Sequence, residues 1–196
     1  MKSIYIRLKN RIRQYRKQLF YFLYPNRINI YRKKIVYSSI PSFNQVTLCL
    51  GQGTVEFGSG CSFGFKMGGF NWKGSIELQA RFENSKIKIG NNVWTNNNIF
   101  ICAANNIEIG ENTLIGQFVT IMDFEAHGIH PEKRKEIGEI GQVYIGRNVW
   151  IGNNSIILKN TIIGDNSIVA SGAVVSGKFP ANVILGGVPA KIIKSI

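Results

Sequence analysis

Two histidines, His127 and His130, are the only imidazoles in a chain of 196 residues, and both fall in one polar stretch, 123–142. An imidazole titrates near neutral pH, so it can remove a proton from a hydroxyl or an amine. Asp123 and Glu125 lie just upstream of His127, close enough in sequence to orient its ring. The competing reading for each histidine is a solvated loop residue, and it suits His130 better than His127. A three-histidine zinc centre would need a third ligand, which the chain does not have, so no metal is expected. Cys49, Cys61 and Cys102 have unrelated spacings and make neither a disulfide framework nor a zinc set. That cysteine usage fits a reducing compartment.

The elements that must position this chemistry are set by a six-residue period. Ile145, Ile151, Ile157, Ile163, Val169 and Val175 recur in register, and Val149, Ser155, Thr161, Ser167 and Ala173 follow the first five at a fixed offset. Gly146, Gly152 and Gly164 come next, with Asn and Asp behind them. A period of six is neither helical nor alternating; it belongs to a hexapeptide β-helix, in which three flat sides close a triangular coil of about 18 residues. The aliphatic residue points to the dry axis, worth about 1.5–3 kcal/mol each. Gly and Asn serve the corners. The expected fold is an all-β solenoid.

Residues 46–89 read as a degenerate first part of the solenoid, with Val55, Phe57, Cys61 and Phe63 echoing the repeat. Cys61 takes a small-residue position and reads as structural. The stretch 64–74 is Gly-rich and aromatic and reads as a loop or distorted coil, with 76–82 as a returning strand. The register improves from Ile89 through Thr95 and Ile101, slips by two residues to Ile109, and continues through Ile115 to Ile121. The period then vanishes until Val143. A loop of this length on a rigid scaffold is where function tends to sit.

The formal net charge of +13 is unevenly placed: residues 1–34 carry eleven Lys and Arg, and the first acid is Glu56. Ile4, Leu8, Ile12, Tyr15, Leu19 and Phe22 form one helical stripe among those cations, broken at Pro25 and Asn26. Residues 1–34 are therefore a basic amphipathic leader to a β-helix of residues 35–196. Its helix packs on the solenoid end or a neighbouring subunit, or it lies through residues 1–24 on an anionic membrane surface. Nucleic acid is not an expected partner, since no recognition motif accompanies the charge and nothing later extends it. No apolar run approaches the ~20 residues of a membrane span. With no signal-peptide pattern, the expected location is cytoplasmic, with peripheral contact at the inner face of the membrane if the leader binds lipid.

The segments 145–149 into Trp150-Ile151-Gly152, Ile163-Gly164-Asp165-Asn166-Ser167, Ala170-Ser171-Gly172-Ala173-Val174-Val175 and Gly186-Gly187-Val188-Pro189-Ala190-Lys191-Ile192-Ile193 carry a resemblance. They look like the hexapeptide-repeat acyltransferases, in the branch of maltose, galactoside and nodulation acetyltransferases and polysaccharide O-acetyltransferases. The match covers about 87–196, with 180–196 as the C-terminal segment. The resemblance implies a left-handed parallel β-helix, a homotrimer with active sites between subunits, and acetyl-CoA as acyl donor. It implies His127 as general base towards a sugar or glycan hydroxyl, with no covalent enzyme intermediate. Asn96 falls at an active-site asparagine, with Asn97 and Asn98 as an ambiguity, and Trp150 at the tryptophan beside the donor. Asn153, Ser171 and Ser176 match CoA-binding positions, and Lys191 and Lys194 match phosphate partners. Ser176-Gly177-Lys178 departs from the family, many members of which have Thr followed directly by Lys, and the resemblance then assigns that role to Lys178 one residue later. The implied function is sugar O-acetylation in bacterial surface-polysaccharide synthesis. The alternatives are acetylation of an amino sugar or antibiotic, and a non-catalytic trimeric scaffold.

Overall fold

A computed structural model describes residues 2–196, and their side chains from Tyr5 onward. Three sheets of short strands form the faces of a prism. The first face carries seven strands from Ile35–Tyr37 to Lys178–Phe179, the second eight from Ser42–Phe43 to Ala190–Ser195, and the third six from Thr47–Gly51 to Val174–Val175. Each coil visits the faces in that order, and every pairing between coils is parallel. Only the terminal strand Ala190–Ser195 folds back antiparallel, onto Val183–Gly187. The solenoid is a left-handed parallel β-helix.

The six-residue period has the meaning expected of it. Ile145, Ile151, Ile157, Ile163, Val169 and Val175 are all fully buried on the axis, and Ser155, Thr161, Ser167 and Ala173 fill the space beside them. Val143 pairs with Thr161, Trp150 with Ile168 and Ile156 with Val174, so this coil is eighteen residues long. Coils nearer the N-terminus step by twenty, as in Ile89 to Ile109 and Thr95 to Ile115. The two-residue slip read in the sequence is thus a longer corner, and the inward columns continue through it. Asn92, Asn112, Asn148, Asn166 and Asn182 all have φ near +60° at one corner. That left-handed conformation suits Asn better than bulkier residues. Their amides form a partial ladder, with Asn148 donating to Asn166 at 3.0 Å and Asn166 to Asn182 at 3.1 Å.

The chain leaves the prism twice. One excursion spans 64–75, between the second and third faces; the other spans 123–141, between the third and first. The leader forms a helix Lys2–Gln18, a π-turn Leu19–Leu23 and a short helix Arg27–Tyr31. Its stripe docks only at one end. Phe22 is fully buried and stacks on Phe43 with centroids 4.2 Å apart. Asn26, also buried, donates to the carbonyls of Phe22 and Thr47 and accepts from the Cys49 amide. Leu8, Ile12 and Tyr15, read on one stripe with Leu19 and Phe22, are exposed. The side chain of Ile4 lies outside the described residues.

Candidate functional site

His127 stands on the second excursion, exposed to solvent. Its Nδ1 lies 2.7 Å from the Arg134 carbonyl. A carbonyl only accepts, so Nδ1 carries a proton, and in the neutral ring Nε2 keeps the lone pair that a general base needs. The excursion is held in shape by Gly128 N–H donating to Glu136 O and by the Arg134 guanidinium donating to Gly128 O. A Cβ on Gly128 would come within 2.6 Å of the Lys133 carbonyl, so only glycine fits that contact.

The orienting partner of His127 is therefore a backbone carbonyl, and the two carboxylates considered for that role are engaged elsewhere. Asp123 is buried at the base of the excursion, where it accepts from the Ala104 and Asn105 amides at 2.6 and 2.9 Å. Burial pushes its carboxyl above the ordinary range, against the opposing pull of those amides. Glu125 lies 3.3 Å from the Lys159 ammonium and accepts from the Glu139 amide. Glu139 pairs with Lys159 as well and accepts from Asn160, and this holds its carboxyl below the ordinary range. Lys159 thus pins both limbs of the excursion to the next coil. His130 is exposed, 3.9 Å from a still more exposed Glu132.

A groove of about 810 Å³ runs along the outer side of the second face. Trp94, Leu114 and Trp150 form its floor in strand register, Ile40 and Phe65 wall it, and Asn96 and Asn153 edge it. Its lining carries no charged side chain. The run Asn96-Asn97-Asn98 separates here. Asn97 is fully buried and bonds the backbone of Phe65 and Gly69, while Asn98 is spanned by the Gln45 amide. Asn96 alone faces the groove.

The remaining candidates spread over other parts of the prism. Ser171 sits one coil beyond Asn153, against Gly152, on the corner between the second and third faces. Ser176 and Lys178 lie at the corner between the third and first faces, the corner from which the His127 excursion departs. Lys191 and Lys194 lie on the terminal antiparallel strand, paired with Gly186 and Ile184. Within one chain the structure therefore brings Asn96, Trp150 and Asn153 together. It leaves His127 outside the groove they line.

The chain is thus a β-helix with an uncharged aromatic groove on one face and a histidine-bearing loop at another corner, and comparison with known proteins gives its class. Residues 142–177 match the family model described as bacterial transferase hexapeptide (six repeats). The chain is 38% identical over 117 residues to the galactoside O-acetyltransferase of Escherichia coli K12, a match covering 57% of this chain and 55% of that protein. It is 34% identical over 154 residues to the candidate lipopolysaccharide-biosynthesis O-acetyl transferase WbbJ of the same organism, with 72% of each covered. A hexapeptide-repeat acetyltransferase from Vibrio cholerae O1 biovar eltor, crystallised with acetyl coenzyme A, superposes with a TM-score of 0.52 at 32% identity, over 56% of this chain and 60% of that one. The chain belongs to the hexapeptide-repeat acetyltransferase family.

Proposed function

We propose that this protein transfers the acetyl group of acetyl-CoA to a hydroxyl of a sugar, at sites shared between the subunits of a homotrimer. The observation that carries the reading is the separation of the candidate residues between one face and a different corner of the prism. Asn96, Trp150 and Asn153 line the groove on the second face, while His127 stands on the excursion between the third and first faces, along the edge where Ser176 and Lys178 lie two coils further on. Two copies meeting groove to corner would unite a base with a cleft that has none. The Vibrio cholerae relative with acetyl coenzyme A bound supports the donor, and the Escherichia coli relatives named for galactoside and lipopolysaccharide support a carbohydrate acceptor.

In this reading acetyl-CoA is a substrate that supplies a thioester carbonyl. The indole of Trp150 offers a flat apolar wall to the pantetheine, and the Asn153 and Ser171 side chains offer hydrogen bonds. Lys178, Lys191 and Lys194 are the cations for its phosphates. Nε2 of His127 takes the proton of the hydroxyl as its oxygen bonds the acetyl carbon. The C–S bond breaks, the proton passes to the departing CoA sulfur, and the Asn96 amide positions the reacting groups. An uncharged lining favours a neutral hydroxyl acceptor over a cationic amino sugar, whose ammonium would be desolvated without a partner. The leader adds a location: a basic helix with exposed apolar residues suits work beside an anionic membrane, on a lipid-linked glycan.

Complementation tests this directly. Release of free thiol from acetyl-CoA with a panel of sugars should fall about 10²–10⁴-fold in His127→Ala, and strongly in Asn96→Ala. Co-expressed, the two variants should regain part of the activity, because some interfaces then pair an intact groove with an intact histidine. Activity that stays absent in the mixture would place the whole site within one chain and refute the shared arrangement.

A further inference from the structure

The N-terminal helix is unusual in that residues 5–16 are exposed around its whole circumference. Tyr5, Leu8, Ile12 and Tyr15 stand open on one stripe, and Phe20 beside them. Across from this helix lies the 64–75 excursion, which also points apolar residues outward: Trp72 is 85% and Met67 84% exposed. The two elements converge. A groove of about 480 Å³ separates them, with Lys9, Arg13, Arg16 and Lys17 on its helical side. Ile12, Phe20 and Trp72 supply its apolar floor and wall. Burial, then Lys66 from the excursion and Arg13, pull the Lys17 ammonium below its ordinary value. Among the described residues no ion pair engages any cation of residues 5–34.

We propose that the helix and the 64–75 excursion form one composite docking surface for an anionic lipid leaflet, with phosphate headgroups seated in the cationic groove between them. The inference rests on the membrane reading above and deepens it: the helix is half of the surface, and Trp72 and Met67 are the other half. Charge and apolarity together select the occupant. Four uncompensated cations ask for an anion, and Leu8, Ile12, Phe20, Met67 and Trp72 ask for an apolar layer beneath it, which is the order of groups at a leaflet boundary. A nucleic acid would satisfy the cations but leave the aliphatic stripe wet. A second copy of the helix would cover the stripe but bring like charges together.

The experiment is flotation of the full chain with vesicles of phosphatidylcholine alone or containing phosphatidylglycerol. Binding should require the anionic lipid and weaken with salt. Arg13→Gln with Arg16→Gln should lower it about 25-fold, near fivefold for each cation. Trp72→Ala with Met67→Ser should lower it several-fold without changing the melting temperature, because both side chains are free of the core. Acetyl transfer to a water-soluble sugar should be unchanged in all these variants, so failure of the catalytic reading is seen separately. If the Trp72 and Met67 variant binds like the parent, the composite surface is wrong and the helix alone meets the membrane. If the parent chain ignores anionic vesicles, or binds neutral ones equally, both the surface and the membrane reading fall.

Discussion

The two excursions leave the same prism and differ in almost everything else. Strand register is unaffected by either: Ser62 still pairs with Trp94 across the first, and Leu114 with Trp150 across the second. The 64–75 segment is anchored by a neutral amide, Asn97, which bonds Phe65 and Gly69, and it shows Trp72 and Met67 to solvent. The 123–141 segment is anchored by a buried carboxylate, Asp123, closed by the bridge between Phe124 and Ile140, and pinned by Lys159. It shows His127 to solvent. A solenoid made of independent corners can thus add a segment at any corner without disturbing its core. What the segment carries then decides its use.

The largest expected effect separates the two segments by activity. His127→Ala should lower turnover about 10²–10⁴-fold with little change in stability, whereas Trp72→Ala should leave turnover on a soluble acceptor at the parental level. Next comes a change that both segments should share. Ile157, fully buried between Ile121 and Val175, belongs to the column that supports every coil, and Ile157→Ala should cost about 2–5 kcal/mol in urea unfolding. A smaller effect returns to the histidine segment alone. Gly128→Ala puts a Cβ against the Lys133 carbonyl. Displacing the neighbouring imidazole by about 1 Å should lower turnover up to about 10²-fold, and circular dichroism should stay parental.

How much of this could be read from residue order follows from coil length. The eighteen-residue coil from Val143 keeps its aliphatic positions in strict sixes, so its core was legible to the residue. The twenty-residue coils add two residues at a corner, and a fixed period loses its footing there. Near the N-terminus the axis is filled by aromatic rings instead, with Phe57 edge-on to Phe63 at 5.2 Å, under the cap supplied by Phe22. The short helix Arg27–Tyr31 carried no signal, because contacts of Asn26 with a distant strand fix its start. At the site, His127 stood out as a rare imidazole in an aperiodic stretch. Its orienting partner did not, since a backbone carbonyl leaves no mark in the sequence. Asn96 could be separated from its neighbours only once Asn97 and Asn98 were seen to be committed elsewhere.

The smallest effect is a pair of opposite pH slopes within the histidine segment, with none expected from the amide-anchored one. Burial raises the Asp123 carboxyl above its ordinary value of 3.8 in the folded chain. The folded state then binds that proton more tightly than the unfolded state, so the contribution is complete below 3.8 and is lost as pH rises through the folded value. Glu139 behaves the other way. Bonds from Lys159 and Asn160 hold it below its ordinary 4.5, so its contribution is present above that value and lost as pH falls through the folded one. Melting temperatures between pH 2.5 and 6 for the parent, Asp123→Asn and Glu139→Gln should reveal this. The parent's advantage over Asp123→Asn should shrink as pH rises, and its advantage over Glu139→Gln should grow. Parallel slopes would mean that Asp123 is not buried at the base of the excursion, and the contrast between a carboxylate anchor and an amide anchor would go with it.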